Sequence, residues 1–558
     1  MNDKVRFVAL GGLDEIGKDL YLIEINGDIF VFECGVKFAD KTTPGIDFII
    51  ADYSYLKSNK HRVKAYFISH GHDDQFGALP YMLKDVPAPV YGSAITKVML
   101  KEFCRVKKLD EKHLDFRIVQ PSSKHSIAGH EVLFFQTVHS VPCSFGVAIL
   151  TSQGYIVYSS DFIIDYNASN SYKSDLNALA KIAEKGTYIL MSESIFANRS
   201  GYTTPKHRLT PHLEKAVRDL EGRLYVATYY QDVFRMQEIF NFITKNKKKV
   251  VFFDSETAQL VKALNSEGEL VLASNVVMDY EDLLRIKKED LVVFLIGNGA
   301  TLFDKINQLV SGSNSNSHFK LELSDTFIVA APSASSLERL ATDTIDNLYR
   351  TEAKIVYFGR SDISGMHASQ EDLKMYLSLL KPKFYIPVKG EYRHLLANAQ
   401  VALSMGIGLS HRSVFIVDNG VGIVFDGDRA EIVPDYAPSG VVLIDGLGVG
   451  DVENQVILDR QKLSDDGLII MAIGVSKKNW RIVTEPDIQM RGFIFVRDGE
   501  HVLKRLQGIF ISEIENALRN HTDDFHQTRT LIEEICSKRV WRDTGRNPMI
   551  VCIVEVVD

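Results

Sequence analysis

The segment FISHGHDDQFGALP, from Phe67 to Pro80, constrains the fold of this chain more than any other. It begins inside the apolar run VKAYFIS, which predicts a buried strand, and continues into a stretch with helix-like apolar spacing. The loop between them carries His70, His72 and Asp74 at alternate positions. Two imidazoles in this spacing can bind one metal ion, and the carboxylate can bind a second ion or hold the attacking water. Gln75 stands where a fourth ligand is expected.

Two later strands end on further candidate ligands. The apolar run EVLFFQTVH ends at His139, and GYIVYSSD ends at Asp161. A histidine pair on a loop is more often an ordinary surface feature, so the HGH pair alone is a weak indication. Strands that deliver His or Asp at their ends can bring them to one edge of a sheet, where a rigid scaffold holds them. The sequence therefore predicts a metal site built from His70, His72, Asp74, His139 and Asp161.

Length and composition limit the class of protein. With 558 residues the chain exceeds the size of a single hydrophobic core, so we expect two to four domains. No apolar run approaches the roughly 20 residues of a membrane span, and the N-terminus MNDKVRFVALGG lacks the features of an export signal. We therefore expect a cytoplasmic protein with no membrane role. The net charge of −8 argues against a surface that binds polyanions everywhere, although it is compatible with a local basic channel.

The cysteines do not predict a metal or disulfide site. Cys34, Cys104, Cys143, Cys536 and Cys552 are scattered without CxxC spacing, which argues against a disulfide framework or a thiolate zinc site. We interpret them as small buried hydrophobic residues.

The pattern of the chain changes from region to region. Short alternating strands come first, two of them joined by Asn26-Gly27, which predicts a tight hairpin and an antiparallel sheet. From about Thr210 to Arg360, helices alternate with apolar strands, as in a parallel α/β domain. A stretch rich in Gly, Pro and Asp, from Pro434 to Asp451, predicts a linker. The tail after it, with the closing strand MIVCIVEVV, predicts a small α/β domain.

Several motifs together resemble a known family. HGHDDQ, TVHSVP and SSDF are similar to the HxHxDH, His and Asp motifs of the metallo-β-lactamase fold. GGLDEIGKDLYLIE, GIDFIIAD, SGMHASQEDLK, PVKGEYRH and DRQKLSDDGLI narrow the resemblance to ribonuclease J, the bacterial β-CASP ribonuclease. The likeness runs from the first residues to the last strand and is weakest in the middle region. The departures from the family motifs resemble those of its second, catalytically degenerate paralogue in low-GC Gram-positive bacteria.

The resemblance implies a fold class. It implies an α/β protein with a metallo-β-lactamase αββα sandwich, an inserted β-CASP α/β domain and a small C-terminal α/β domain. It places the split metallo-β-lactamase domain at residues 1–205 and 360–432, the β-CASP domain at 206–359, a linker at 433–452 and the C-terminal domain at 453–558. The changes of pattern described above fall at matching places.

The resemblance also implies an activity on RNA. Family members degrade RNA in the 5′ to 3′ direction, prefer a 5′ monophosphate and can also cut internally, in ribosomal RNA processing and mRNA decay. A pair of Zn or Mn ions activates the attacking water. The family's ligands for one of these ions correspond to His70, His72, His139 and Asp161, and all four are intact.

The ligands of the second ion are incomplete. The resemblance assigns them to Asp74, Gln75, Asp161 and Lys389, and Gln75 and Lys389 replace histidines of the family. A neutral amide oxygen is a poor ligand for Zn or Mn, and a protonated lysine cannot ligate at all. The charge of Lys389 could instead lie between Asp74 and Asp161, in the place of the ion. We therefore expect at most one Zn or Mn ion, or none.

Other family motifs are altered. The first acidic motif residue is Glu33 rather than Asp, and Asp14 and Asp19 replace a Gly and an Asn. In the middle region, TYYQDVFR (228–235) and FDSE (253–256) replace TFASNVHR and GRSM, so an arginine is lost and acids are gained. The loss of donors and the added repulsion argue against an intact pocket for the 5′ phosphate.

The loop DISGMH keeps Ser364 and Gly365 of the family's HVSGH motif but inserts Met366 before His367. The resemblance makes these four residues candidates for substrate binding, and it makes His367 a candidate proton donor or phosphate contact. A shift of about 1 Å can lower a rate about 10²-fold, so His367 as an ordinary loop residue is an equal alternative. The candidate catalytic residues are Asp74, Asp161 and His367.

The sequence leaves three functions open. The first is a partner of an active ribonuclease J subunit, with little catalysis of its own, in a mixed dimer or tetramer; a homodimer or homotetramer is also compatible. The second is a low-activity ribonuclease, since one ion is enough to lower the pKa of bound water. The third is an RNA-binding module that uses the run KNKKK (245–249), although such a run is usually a solvated face.

Overall fold

The computed structural model describes residues 2–39, 42–166, 170–218, 220–313, 319–333, 337–446, 448–450, 454–493, 496–519 and 525–557. The chain divides into two compact units, Met1–Phe38 with Ile49–Val442 and Ala39–Phe48 with Leu443–Asp558. The boundary near residue 442 falls inside the linker predicted at 433–452. Residues 39–48, which the sequence places in the first domain, group with the C-terminal unit.

Short strands and helices alternate up to Glu193. The strands are β1 Val5–Gly11, β2 Leu20–Ile25, β3 Asp28–Phe32, β4 Lys37–Phe38, β5 Phe48–Ala51, β6 Val63–Phe67, β7 Val90–Gly92, β8 Phe116–Ile118, β9 Ser123–Ile127, β10 His130–Gln136, β11 Phe145–Thr151, β12 Gly154–Tyr158 and β13 Thr187–Glu193. The helices are α1 Ser54–Ser58, α2 Asp73–Phe76, α3 Leu79–Met82, α4 Ala94–Lys107 and α5 Leu176–Glu184. Short 3-10 helices lie at Lys60–Arg62 and Asn170–Tyr172.

Longer helices appear in the following part of the first unit. The strands are β14 Leu224–Tyr229, β15 Lys249–Phe252, β16 Leu291–Gly297, β17 Thr326–Val329, β18 Lys354–Tyr357, β19 Phe384–Val388, β20 Gly422–Asp426 and β21 Arg429–Val433. The helices are α6 Thr210–Ala216, α7 Val233–Lys245, α8 Ser255–Ser266, α9 Ala300–Ser311, α10 Glu338–Tyr349, α11 Gln370–Leu380 and α12 Tyr392–Ser404. Short 3-10 helices lie at Ser274–Val276, Tyr280–Arg285 and Lys288–Asp290.

The first sheet is mixed, with the order β21-β20-β1-β2-β3-β6-β7-β8. The pairs from β21 to β3 are antiparallel, whereas β3, β6, β7 and β8 pair in parallel. The predicted hairpin at Asn26-Gly27 is present, with the positive φ values of 53° and 102° that a two-residue turn needs. The antiparallel pairing predicted for the first three strands is confirmed, and the sheet continues in parallel because helical crossovers return the chain in the same direction between β6 and β8.

The second sheet has the order β19-β13-β12-β11-β10-β9 and packs face to face on the first. Phe30 of the first sheet and Val147 and Ile189 of the second belong to one buried core. Leu179 of α5 and Tyr376 of α11 pack on the other face of the second sheet. Helix α4 lies beside β8 of the first sheet. The predicted αββα sandwich is therefore confirmed.

The third sheet is parallel throughout, with the order β15-β16-β14-β17-β18. Phe303 and Ile306 of α9 and Leu348 of α10 pack on Val293 and Phe327 of its strands. The parallel α/β architecture predicted between about Thr210 and Arg360 is confirmed.

The last part of the chain builds a small α/β unit around one long strand. Its strands are β22 Val441–Asp445, β23 Gly448–Val449, β24 Leu468–Ser476, β25 Arg481–Ile482, β26 Asp487–Arg491 and β27 Met549–Val557, and its helices are α13 Asn454–Asp466, α14 Val496–Arg519 and α15 His526–Thr544. The predicted closing strand β27 pairs in parallel with β24, which pairs antiparallel with β26 and β25.

Two properties of the described residues bear on the sequence expectations. Their helices include none that is both long enough and apolar enough to span a bilayer. All five cysteines are free thiols, and Cys143 is partly exposed while the other four are buried. The expectation of burial therefore fails at Cys143 alone.

Candidate metal centre

The ends of three strands bring the predicted histidines together. Strand β6 leads to His70 and His72, while β10 and β12 end three residues before His139 and Asp161. The ring centroids are 4.5 Å apart for His70 and His72, 4.6 Å for His70 and His139, and 4.9 Å for His72 and His139. One nitrogen of each ring lies within 4.8 Å of the other two. We call these three residues the histidine half of the centre.

Each histidine uses its other ring nitrogen for a protein partner. The pairs are Ser69 Oγ with His70 Nδ1 at 2.8 Å, Ser140 Oγ with His72 Nε2 at 2.9 Å, and the Met366 carbonyl, which accepts from His139 Nδ1 at 2.7 Å. Outer partners of this kind orient metal-binding histidines. They leave His70 Nε2, His72 Nδ1 and His139 Nε2 to face a common centre, with His70 Nε2 3.1 Å from His72 Nδ1.

Burial favours the neutral form of all three rings. It is the main cause that lowers the pKa of His70, His72 and His139, and the positive charge of Lys389 acts in the same direction. A neutral imidazole keeps the lone pair that a metal ion requires. The histidine half is therefore prepared for ligation at neutral pH.

At the histidine half, His139 Nε2 and Asp161 Oδ1 are buried without a hydrogen-bond partner among the described residues, and Gln75 Oε1 is in the same state. Asp161 Oδ2 lies 3.7 Å from both His70 Nε2 and His139 Nε2. Buried polar atoms are nearly always satisfied, so two open atoms at one point indicate room for a bound group. Three neutral imidazoles and one carboxylate suit a Zn or Mn ion. The residues present therefore fit one metal ion.

Lys389 lies beside this centre, with its ammonium among carboxylates. Its Nζ is 2.6 Å from Asp161 Oδ2, 3.1 Å from Asp74 Oδ2 and 3.3 Å from Asp19 Oδ2, and the side chain is 1 % exposed. Burial works against the charged form, but the charges of Asp161, Asp74 and Asp19 outweigh it and raise the pKa of Lys389 well above its usual value. The ammonium thus lies between Asp74 and Asp161.

Asp19 completes the surroundings of Lys389, a role that the sequence analysis missed. Gln75 Nε2 donates to Asp19 Oδ2 at 3.0 Å and to Asp74 Oδ2 at 3.1 Å, so its amide presents N–H groups rather than a ligand oxygen. Burial raises the pKa of Asp19 to about 7, although Lys389 acts in the opposite direction. A signal exists in the sequence, because Asp19 and Lys389 both depart from the family motifs with opposite charges. We call Lys389, Asp19, Asp74 and Gln75 the lysine half.

His367 lies at the edge of the same centre. Its Nδ1 bonds to Glu193 Oε2 at 2.8 Å and is 3.8 Å from Asp161 Oδ2. Burial opposes the charged ring, but Glu193 and Asp161 outweigh it and raise the pKa of His367. The N–H groups of Phe162 and Ala368 donate to Glu193 Oε1 and hold the carboxylate in place. The sequence analysis missed Glu193, because its position beside His367 depends on a contact between residues 174 apart in the chain.

The three residues before His367 differ in exposure and in their contacts. Met366 is buried, and its carbonyl is the acceptor for His139. Ser364 is also buried, whereas Gly365 is exposed. The inserted Met366 thus orients a metal-centre histidine, and His367 remains beside Asp161.

The other altered motif residues support loops near the centre. Glu33 is buried, and its Oε2 accepts from the backbone N–H of Ser69 at 3.2 Å, directly before His70. Asp14 Oδ1 accepts from the backbone N–H of Tyr392 at 2.8 Å. Both contacts stabilise backbone next to residues of the centre.

Loops of the parallel α/β region touch the histidine loop. Tyr230 OH donates to Asp73 Oδ1 at 2.5 Å, and Asn298 Nδ2 donates to Asp73 Oδ2 at 2.9 Å. The Gln231 carbonyl lies 3.3 Å from His72 Nε2. Burial raises the pKa of Asp73 to about 6. The segment TYYQDVFR, which departs from the family motif, thus contacts the histidine half directly.

Two charged segments noted in the sequence are paired locally. In FDSE, Asp254 and Glu256 lie 2.8 Å and 2.7 Å from the Nζ of Lys305. In KNKKK, Lys245 is exposed and pairs with Glu214 at 2.8 Å. The added acids are therefore compensated within their domain, and the lysine run has the contacts of a solvated face.

Comparison with known proteins places the chain in a family. Two relatives called Ribonuclease J 2, from Staphylococcus epidermidis and Staphylococcus aureus, are each 30% identical over 556 residues, which covers 100% of this chain and 99% of theirs. This chain belongs to the ribonuclease J family. The Ribonuclease J C-terminal domain matches residues 455–557, and the Zn-dependent metallo-hydrolase RNA specificity domain matches residues 360–409, which include His367 and Lys389.

A solved structure supports the same fold. The crystal structure of a protein of unknown function from Enterococcus faecalis has a TM-score of 0.52 and 18% sequence identity to this ribonuclease J chain. It covers 76% of this chain and 100% of that one. Ribonuclease J is a nuclease family that binds RNA, and the RNA specificity domain matched by this chain is that of Zn-dependent metallo-hydrolases.

Proposed function

We propose that this chain is a ribonuclease J-type protein of RNA maturation and decay, cytoplasmic, with weak or no catalysis of its own. Its role is that of a partner subunit for an active ribonuclease J. The observation that carries this proposal is the buried Lys389 ammonium, which lies within 3.3 Å of the carboxylates of Asp161, Asp74 and Asp19. Family resemblance assigns that position to the second metal ion.

Lys389 and a second ion would compete for the same oxygens. Zinc lies about 2.0–2.2 Å from carboxylate oxygens, so an ion bound by Asp74 and Asp161 would overlap the ammonium that already contacts both. The surrounding carboxylates raise the pKa of Lys389, which opposes its conversion into a neutral amine. We therefore infer at most one Zn or Mn ion per chain. Elemental analysis that finds two tightly bound ions would overturn this inference.

The histidine half, which keeps its ligand residues, can support limited chemistry. A bound Zn or Mn ion supplies a water molecule with a pKa lowered toward neutrality. The residues that would hold it are His70, His72, His139 and Asp161. His367, oriented by Glu193, is placed to give or take a proton beside Asp161. Because the charge of Lys389 is already matched by carboxylates, little positive charge is left to stabilise the leaving oxygen.

A low-activity ribonuclease that uses one ion is the second candidate. The two open atoms at the histidine half, His139 Nε2 and Asp161 Oδ1, favour it because they belong to a complete ligand set. In this case the chain would retain slow 5′ to 3′ or internal cleavage of RNA.

Degradation of a 5′-monophosphorylated RNA in the presence of Mn or Zn separates the two candidates. The purified chain is compared with the double variant His72→Ala, Asp74→Ala. Slow cleavage that disappears in the variant supports the one-ion ribonuclease, and equal rates in both proteins support a non-catalytic subunit. A rate equal to that of an active ribonuclease J subunit would contradict both candidates.

The partner role has a separate test. A subunit that binds a partner better than it binds itself shifts into the mixed complex when the two are combined. We expect native mass spectrometry of this chain with the active ribonuclease J of the same organism to show mixed dimers or tetramers. Homo-oligomers alone would contradict the partner role.

A further inference from the structure

Beyond the metal centre, Arg199 lies close to His367 without an acidic partner. Its Nη1 donates to Ser364 Oγ at 3.3 Å, and its Cζ lies 3.4 Å from the ring centroid of Phe196. Among the described residues, no carboxylate lies within ion-pairing distance of this guanidinium. Arg199 is also exposed, so its N–H groups can reach a ligand.

Phe196 connects Arg199 to the proposed reaction site. Its ring centroid is 5.3 Å from that of His367, with an angle of 79° between the two planes. Ser364, the hydrogen-bond acceptor of Arg199, belongs to the same loop as His367. One aromatic ring therefore separates the guanidinium from His367, and Arg199 and Gly365 both present exposed surface there.

The chemistry of the Arg199 side chain suits a phosphate. Burial is the main cause that lowers the pKa of Arg199, and the charge of Arg360 adds to the effect. Guanidinium groups bind the oxygens of phosphates through a planar fork of N–H donors.

Unlike the position of Arg199, the interior of the centre is rich in negative charge. Asp19, Asp74, Asp161 and Glu193 surround the position of Lys389 and His367 and repel phosphate oxygens. An RNA strand that reaches His367 is therefore better accommodated from the side of Arg199.

We propose that Arg199, stacked on Phe196, binds a backbone phosphate of single-stranded RNA next to His367. The proposal rests on the proposed function in that RNA is the ligand. One face of the guanidinium stays on the ring while its N–H fork contacts the phosphate. Sites for single-stranded nucleic acid commonly combine positive charge with aromatic stacking of this kind. Arg199 is thus a specific contact that neither the family motifs nor the metal ligands supply.

Fluorescence anisotropy of a labelled single-stranded RNA tests this site. The full chain is titrated at several salt concentrations without added metal, so that cleavage does not interfere. We expect Arg199→Ala to weaken binding roughly tenfold. The slope of log K against log salt should fall by about 0.7, the value for one phosphate contact on a single strand. Arg199→Lys should lose less affinity than the alanine variant, because it keeps the charge and loses only the fork.

Arg339→Ala is the matched control, since Arg339 is an exposed arginine on α10, and it should change neither affinity nor slope. Wild-type affinity and slope in Arg199→Ala would overturn the phosphate site while leaving RNA binding by the chain intact. An equal loss in both variants would also overturn it, because the effect would then be one of net charge. If the wild-type chain bound no RNA at low salt, the phosphate site and the proposed RNA function would fall together.

Discussion

The histidine half of the metal centre buries neutral groups, whereas the lysine half buries charges. In the first, burial lowers the pKa of each imidazole, and one nitrogen of each ring faces a common centre. In the second, the carboxylates of Asp161, Asp74 and Asp19 lie within 3.3 Å of the Lys389 ammonium and favour its charged form. Asp161 belongs to both, since its Oδ2 contacts Lys389 while its Oδ1 has no partner among the described residues.

This difference shows two ways to stabilise buried ligand residues. Neutral imidazoles tolerate burial without an ion, so the histidine half can keep its shape and its affinity. Buried carboxylates cannot, because an unpaired buried charge costs several kcal/mol. We infer that Lys389 provides the positive charge that a second ion provides in active family members, and that it does so without supplying a Lewis acid.

The largest effect should come from removing the ammonium. Lys389→Met leaves the carboxylates of the lysine half without a cation, so we expect the free energy of unfolding to fall by roughly 3–5 kcal/mol. Urea unfolding measures this change. Lys57→Met, at an exposed lysine that pairs with Asp85, is the control and should cost less than about 1 kcal/mol. Adding Asp19→Asn to Lys389→Met should recover part of the loss. Equal small losses at both lysines would show that the ammonium does not stabilise the site.

Restoring imidazoles should convert the lysine half into a metal site. In the double variant Gln75→His, Lys389→His, we expect a second Mn or Zn ion and a ribonuclease rate roughly 10²-fold higher, because charge developing on the leaving oxygen is then stabilised. Metal analysis and RNA degradation measure the two effects. His72→Ala in the same background should abolish the gain. A stably folded double variant with one ion and an unchanged rate would show that more than these two ligands is missing.

Removing a hydrogen-bond partner that orients a metal-centre histidine should lower zinc affinity by about one order of magnitude. Ser140→Ala removes the hydroxyl beside His72 Nε2, so zinc affinity should fall roughly tenfold. Competition with a chelator measures this affinity. Ser404→Ala removes a hydroxyl that donates to the Val401 carbonyl at the end of α12, and it should leave zinc affinity unchanged. The same affinity in all three proteins would mean that the serine does not orient a ligand.

The smallest effects should appear with pH. Because the pKa values of the three histidines are lowered, protons compete with zinc only below the usual imidazole value of about 6.5, so affinity should change little between pH 8 and pH 6. The pKa of Lys389 is raised rather than lowered, so its effect on stability changes at high pH. Its contribution to stability is complete below 10.5, the ordinary lysine value, and is lost only as the pH rises through the higher folded value.

Equilibrium dialysis at pH 6, 8 and 9 therefore distinguishes the two halves. The number of bound ions should stay at or below one per chain at each pH. A second ion at pH 9 would mean that Lys389 loses its proton far more easily than the surrounding carboxylates allow.

Much of the fold follows from local patterns. The Asn26-Gly27 hairpin, the parallel strands between about Thr210 and Arg360 and the closing strand β27 all appear as apolar periodicity and turn chemistry predict. The direction of pairing in the first sheet does not follow in this way. Strands β6, β7 and β8 read alike whether they pair parallel or antiparallel, and the crossovers between them decide.

The residues of the metal centre divide in the same way, into those that local motifs identify and those that only the fold brings together. The motifs around His70, His139 and Asp161 identify ligand candidates, because their spacing and strand-end positions are local properties. Asp19 and Glu193 lie in segments with no ligand motif of their own. Their parts in the centre arise from contacts with Lys389 and His367 that only the folded chain makes.

The sequence by itself determined the family, the layered architecture and the replacement of two ligand histidines by Gln75 and Lys389. The tertiary structure decided that the ammonium lies among three carboxylates and that His367 stays beside Asp161. The physical reason is distance along the chain, since Lys389 and Asp161 are 228 residues apart in sequence and 2.6 Å apart in space. Burial then sets the charge of each group, and burial is a property of the packed chain rather than of any motif.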